Sequence, residues 1–121
     1  MTRLLELVAV VAFVCFPLDF YAQETVEIAN VQLANSLSAV VEDPNGSPIP
    51  NVLVEEFNRN WIKSLRSTKT DATGKFSLST VNGRSIYYLK LTSYGFAPLE
   101  VRVQVDRKRG KNLKLTLNIA T

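Results

Sequence analysis

From Leu99 to Val105 every second residue is a branched apolar one: Leu99, Val101, Val103 and Val105 alternate with Glu100, Arg102 and Gln104, behind Pro98. Period two puts the first set on one face of a β-strand and the second on the other, so one face is core and the other water. Leu113, Leu115, Leu117 and Ile119 repeat the pattern against Asn112, Lys114, Thr116 and Asn118. Tyr87, Leu89 and Leu91 repeat it against Tyr88, Lys90 and Thr92. No helix-period stretch occurs after residue 22. Runs over 36–41, 51–57, 61–70, 75–80, 85–92, 98–105 and 112–119, separated by turn signals at the roughly 8–12-residue spacing of all-β domains, predict seven strands. The pattern therefore points to an all-β, seven-stranded Greek-key sandwich.

The segments between these runs carry turn chemistry. In Asp43-Pro44-Asn45-Gly46 the proline presets φ, asparagine tolerates the next position and glycine accepts positive φ, which predicts a hairpin turn. Ser47-Pro48-Ile49-Pro50 must then run extended, because each proline disfavours helix in the residue before it; Ile49 is placed to plug one end of the sandwich. Asp71-Ala72-Thr73-Gly74 is a second tight turn, with Asp71 positioned to accept amide bonds from its own loop. Arg107-Lys108-Arg109-Gly110 is expected to close the last hairpin.

The chain opens differently. Arg3 precedes an apolar stretch from Leu4 to Phe16 broken only by Glu6, and Pro17 and Asp19 end it. This is shorter than the roughly 20 apolar residues of a membrane-spanning helix and reads as an export signal over 1–22, cut after Ala22. Phe20 departs from the small residue usual three places before the cut. Cys15 would carry the lipid of a lipoprotein, but Val14 stands where a small residue is expected, which favours cleavage over anchoring. Residues 23–35 form a polar leader with an edge strand as one option, and 36–121 form the sandwich. With no spanning segment in the mature chain, release into the periplasm or medium is expected.

Several stretches occur in a familiar order: Asp43-Pro44-Asn45-Gly46-Ser47-Pro48-Ile49-Pro50-Asn51-Val52, then Thr70-Asp71-Ala72-Thr73-Gly74-Lys75-Phe76-Ser77-Leu78, then Tyr87-Tyr88-Leu89 and Tyr94-Gly95-Phe96. Over residues 37–119 this resembles the carboxypeptidase regulatory-like domain family, with its transthyretin-like (prealbumin-like) sandwich. The Thr-Asp-x-x-Gly-x-Phe turn is the most specific part. Asn51 stands where that family usually has glycine, and asparagine also tolerates unusual φ. The resemblance implies a domain that sits beside the catalytic domain in metallocarboxypeptidases, and elsewhere stands alone or precedes an outer-membrane receptor barrel. None of these settings gives it a reaction. A related carbohydrate-binding-like group suggests sugar recognition, an analogy of fold alone.

Composition narrows the chemistry. The chain has no histidine, which removes the usual general base, zinc ligand and serine-triad partner together. A zinc carboxypeptidase site cannot be assembled, and the transthyretin-like hydrolases of purine-derived rings need histidines too. If Cys15 leaves with the signal, thiol chemistry and disulfides leave with it. The expectation is no enzyme and no cofactor or metal. Glu55 and Glu56 are strand neighbours facing opposite ways, so they cannot work as a pair; one solvated carboxylate and one at a strand edge are expected. Glu42 and Asp43 lack the spaced acidic loop of a calcium site and suit turn capping.

Candidate ligand-binding residues are Trp61, Tyr88 and Tyr94, whose rings suit a sugar face or a protein anchor. The plainer expectation has Trp61 covering a sandwich end and Tyr94 packing beside Gly95 and Phe96. Without the signal the chain has 13 basic and 9 acidic residues, net +4, and Arg107, Lys108, Arg109, Lys111 and Lys114 form its one basic cluster. Export and the lack of interleaved aromatics argue against nucleic acid, and lysines on an exposed edge also block sheet-to-sheet aggregation. The favoured reading is a noncatalytic interaction module of the cell envelope that holds a protein partner or assembles through its strand edges. Alternatives are a carbohydrate-binding module using Trp61 and Tyr88, and an accessory domain acting in trans on an exported peptidase.

Overall fold

The computed structural model describes residues 25–28 and 30–120; the expected export signal over 1–22 and the expected cut after Ala22 lie outside them. Eight strands follow in order: β1 (Val26–Glu27), β2 (Gln32–Glu42), β3 (Leu53–Phe57), β4 (Ser64–Lys69), β5 (Lys75–Ser77), β6 (Ile86–Thr92), β7 (Leu99–Val105) and β8 (Lys111–Thr116). The alternation predicts seven. The eighth is β1, taken from the leader, where it runs parallel to β7 with Val26 opposite Leu99.

Strands β4, β3, β6 and β7 form one antiparallel layer. The second layer is β5-β2-β8, antiparallel and parallel respectively. Strand β2 belongs to both: Gln32–Ala34 pairs with β7, whereas Ser38–Val40 pairs with β5 and Ala39–Glu42 with β8. The switch falls at a register irregularity between Ala34 and Ala39. Buried positions slip there from Ala34 to Leu37, Ala39 and Val41, as a bulge that bends a strand demands. A uniform period-two reading cannot carry a strand across such a slip, which is why the alternation starts this strand at 36 whereas β2 begins at Gln32.

Between the layers lies one core, with Leu37, Val41, Val52, Val54, Tyr87, Leu89, Leu91, Val101, Val103, Leu115 and Leu117 at most 2% exposed. Each such aliphatic side chain contributes about 1.5–3 kcal/mol of transfer free energy. The alternation therefore assigns β6 and β7 correctly. It fails at the end of β8, where Ile119 is exposed and makes only an isolated bridge to Phe96. Ile49 is buried as expected, and Thr70 ties its crossover down: the Thr70 hydroxyl donates to Ile49 O (2.7 Å) and accepts from Val52 N (2.8 Å). Asn51 takes φ 61°, in keeping with its tolerance of that region.

Two turns behave differently from expectation. The Asp43–Gly46 turn leads into a single bridge between Glu42 and Pro48 and not into a strand hairpin. Arg107–Gly110 carries the chain from one layer to the other, since β7 and β8 each run parallel to β2. At that crossing Gly110 lies against β2, where a Cβ would overlap the Ala34 carbonyl and the Asn35 nitrogen.

Candidate interaction surface

The chain turns from β3 into β4 through residues 58–63, and Asn58 organises the turn. Its amide donates to Lys63 O (3.0 Å), its carbonyl accepts from Trp61 N (2.9 Å), and its Oδ1 accepts from Ile62 N (2.9 Å) and Lys63 N (3.1 Å). This geometry needs a left-handed residue at position 61, and Trp61 takes it with φ 62°. For a bulky side chain that conformation costs about 1–2 kcal/mol. The ring is thereby turned onto the outer face of the four-stranded layer.

On that face Phe57 and Tyr88 are register partners. Trp61 stands 5.5 Å from Tyr88 at 89°, edge to face, and 6.1 Å from Phe57 at 41°. All three rings are half-buried. A polar hollow of about 240 Å³ lies on one side of the cluster, lined by Glu27, Ile28, Trp61, Glu100 and Arg102. A second hollow of about 300 Å³ opens on the other, where Phe57, Leu65, Ile86 and Tyr88 meet Arg59 and Arg84. Trp61 thus lies on a sheet face and does not cover a sandwich end. Tyr94 is separate: it is 101% exposed at the turn before β7, at the opposite end of the molecule, where it borders an open depression of about 500 Å³ with Leu53 and Pro98. It does not pack away as expected.

Glu56 is the largest departure from the sequence reading. It is 1% exposed on a strand flanked on both sides, not at an edge. Its Oε1 receives Arg66 Nε (2.6 Å) and its Oε2 receives Arg84 Nη2 (3.1 Å). Arg66 continues to Ser79, and Arg84 lies 5.2 Å from the centre of the Tyr87 ring. The Tyr87 hydroxyl donates to Arg84 O (2.9 Å) and accepts from Val81 N (2.8 Å). A buried carboxylate held by two guanidinium groups is a structural clamp on the loop over 78–85. Glu55, on the other face, accepts from the Ser64 hydroxyl (3.1 Å).

Other acids are spent on turns. Asp43 Oδ1 accepts from the amides of Asn45 and Ser47, both at 2.9 Å. The Asp71 carboxyl is held below its ordinary 3.8, first by the Thr73 hydroxyl and then by the amides of Lys75 and Thr73. That of Asp106 is lowered by the Arg109 amide, then by the Arg109 side chain and the Lys108 amide. Among the described residues no group of three or more His, Cys, Asp or Glu side chains is arranged to hold a metal.

The basic cluster divides. Arg107, Lys108 and Arg109 are exposed on the crossing turn, with Arg109 paired to Asp106 at 3.0 Å, while Lys111 and Lys114 lie on β8. Lys114 reaches Glu42 at 3.9 Å, a loose surface contact. Phe57, the third member of the ring cluster, had no signal of its own, because Val52-Leu53-Val54 before it is apolar on both faces.

Among curated proteins none matches the chain. A family model described as the carboxypeptidase regulatory-like domain matches residues 36–118, from the middle of β2 to just past β8, and with that span the chain belongs to the carboxypeptidase regulatory-like domain family.

Proposed function

We propose that this chain is an exported, noncatalytic module of the cell envelope that holds a protein partner on the outer face of its four-stranded layer. The observation that carries the reading is the Phe57, Trp61 and Tyr88 cluster, because it is displayed at a backbone cost. Glycine would fill position 61 without strain, and a strained residue retained on a surface is a reason to look for function there. Edge-to-face packing sets the Trp61 and Tyr88 rings at right angles, so the two do not make one flat stacking platform. Closely packed aromatics with arginine and carboxylates at the rim match instead the make-up of protein hot spots. The engagement of Glu56, Asp71 and Asp106 in structural bonds supports the noncatalytic part, and the apolar stretch from Leu4 to Phe16 supports export.

The test is crosslinking in intact envelopes with a photoreactive residue at Ile86, which borders the rings, in wild type and in Trp61→Gly. A crosslinked protein that disappears in the variant supports the reading, and a peptidase in that band would make the module an accessory domain. No crosslinked protein, together with saturable polysaccharide binding that shifts Trp61 fluorescence, would replace it with carbohydrate recognition.

A further inference from the structure

The strand register gathers three loops at one end of the sandwich. Phe57 pairs with Tyr88, Ile86 with Gln104, and Val105 N donates to Ser85 O at 2.9 Å. The loops over 58–63, 78–85 and 106–110 therefore leave the layers side by side, from three adjacent strands across two strand spacings or about 10 Å. The first brings Arg59 and Lys63, the second Arg84, and the third Arg107, Lys108 and Arg109. Carboxylates lie near these six cations too: Glu55 accepts from Ser64, and Glu27 and Glu100 line the hollow beside Trp61. Glu56 is buried between Arg66 and Arg84, and Asp106 is bonded to Arg109 and to amides of its own turn. The opposite end is balanced, with Glu42, Asp43 and Asp71 set against Lys69, Lys75 and Lys114, so the excess of positive charge lies at the loop end.

The same basic end exposes aliphatic side chains at its loop tips. Ile62 is 76% exposed between Trp61 and Lys63, and Val81 is 42% exposed on the neighbouring loop. A soluble polyanion has no use for them. A lipid leaflet does, because a residue that passes the headgroups gains apolar burial while the flanking cations stay among the phosphates.

From this geometry we infer that the loop end docks on an anionic membrane surface, with Ile62 and Val81 entering the interface and Arg59, Lys63, Arg107 and Lys108 meeting lipid phosphates, while Arg84 and Arg109 add to the field from their bonds to Glu56 and Asp106. Such docking would orient the outer-face rings sideways, accessible to a partner. The inference uses none of those rings and stands apart from the partner reading.

Vesicle sedimentation tests it with the purified mature chain, comparing phosphatidylcholine vesicles with vesicles containing phosphatidylglycerol, and using dextran sulfate as a soluble polyanion. Expected is binding to the anionic vesicles that weakens with salt. The triple change Arg107→Ser, Lys108→Ser, Arg109→Ser should weaken it on the order of 100-fold, and Ile62→Ser several-fold at unchanged charge. Thermal unfolding of each variant shows that it is folded. Equal binding to both vesicle types, no binding to either, or anionic binding indifferent to Ile62→Ser and matched by dextran sulfate would each overturn the inference, the last in favour of an acidic polymer.

Discussion

Two turns of this protein share one backbone bond, from the fourth residue's amide to the first residue's carbonyl, and place opposite residues at that fourth position. In Asp71–Lys75 the side-chain oxygen of the first residue accepts amides from Thr73 and Lys75, its carbonyl accepts from the fourth residue, and that residue is Gly74 at φ 78°. In the loop over 58–63 the Asn58 Oδ1 accepts amides further along, from Ile62 and Lys63, its carbonyl likewise accepts from the fourth residue, and that residue is Trp61 at φ 62°. Gly74 sits against the core, where a Cβ would come within 2.7 Å of Val41 O. Trp61 faces outward onto Tyr88. Where a turn only has to reverse the chain, the strain-free residue occupies the left-handed position. Where the turn also presents a ring, the strain is kept.

The largest effect is expected at Gly110, the close-approach glycine of the crossing turn. Gly110→Ala drives a methyl group into the Ala34 backbone and should cost about 4 kcal/mol, read as a lowered denaturant midpoint. A near-wild-type midpoint would show that β2 yields there. Gly74→Ala combines left-handed strain with the approach to Val41 O and should cost about 2–3 kcal/mol. Asn58→Ala leaves two loop amides to water and should cost about 1 kcal/mol by the same measurement.

Trp61→Gly is the sharpest contrast with Gly74→Ala. Relief of about 1 kcal/mol of backbone strain offsets about 1 kcal/mol of lost ring contact, so Tm should move by less than about 5 °C while partner crosslinking is lost. A fall as large as that of Gly74→Ala would make Trp61 a structural residue and end the distinction between the turns. The smallest effect is in acid. The Asp71 carboxyl is depressed in the folded state, so its contribution is complete above the unfolded value near 3.8 and is lost as pH falls through the lower folded one. Between about pH 5 and about pH 2 the Tm of wild type should fall further than that of Asp71→Asn, and parallel curves would show that the turn does not couple to stability.

Much of this was legible one residue at a time. The phases of β6 and β7, the buried Ile49, the accepting Asp71 and the left-handed tolerance of Asn51 all follow from local chemistry that the structure leaves in place. Of the candidate rings, Trp61 and Tyr88 meet, because the β3–β4 turn folds back over the face that Tyr88 occupies, whereas Tyr94 lies at the far end. The basic turn was visible as Arg107-Lys108-Arg109, but Arg59, Lys63 and Arg84, which join it in space, are dispersed along the chain.

By itself the sequence determined the fold class, the inward side of the regular strands and the turns whose side chains bond their own backbone. These depend on neighbours within a few residues. Only the tertiary structure decided that β2 changes layers at its bulge, that Glu56 is buried beneath two arginines from different elements, and that three loops share one end. Period two tells which way a side chain points but not which strand lies beside it. That choice is settled by packing the two layers together, through contacts between residues far apart in the chain.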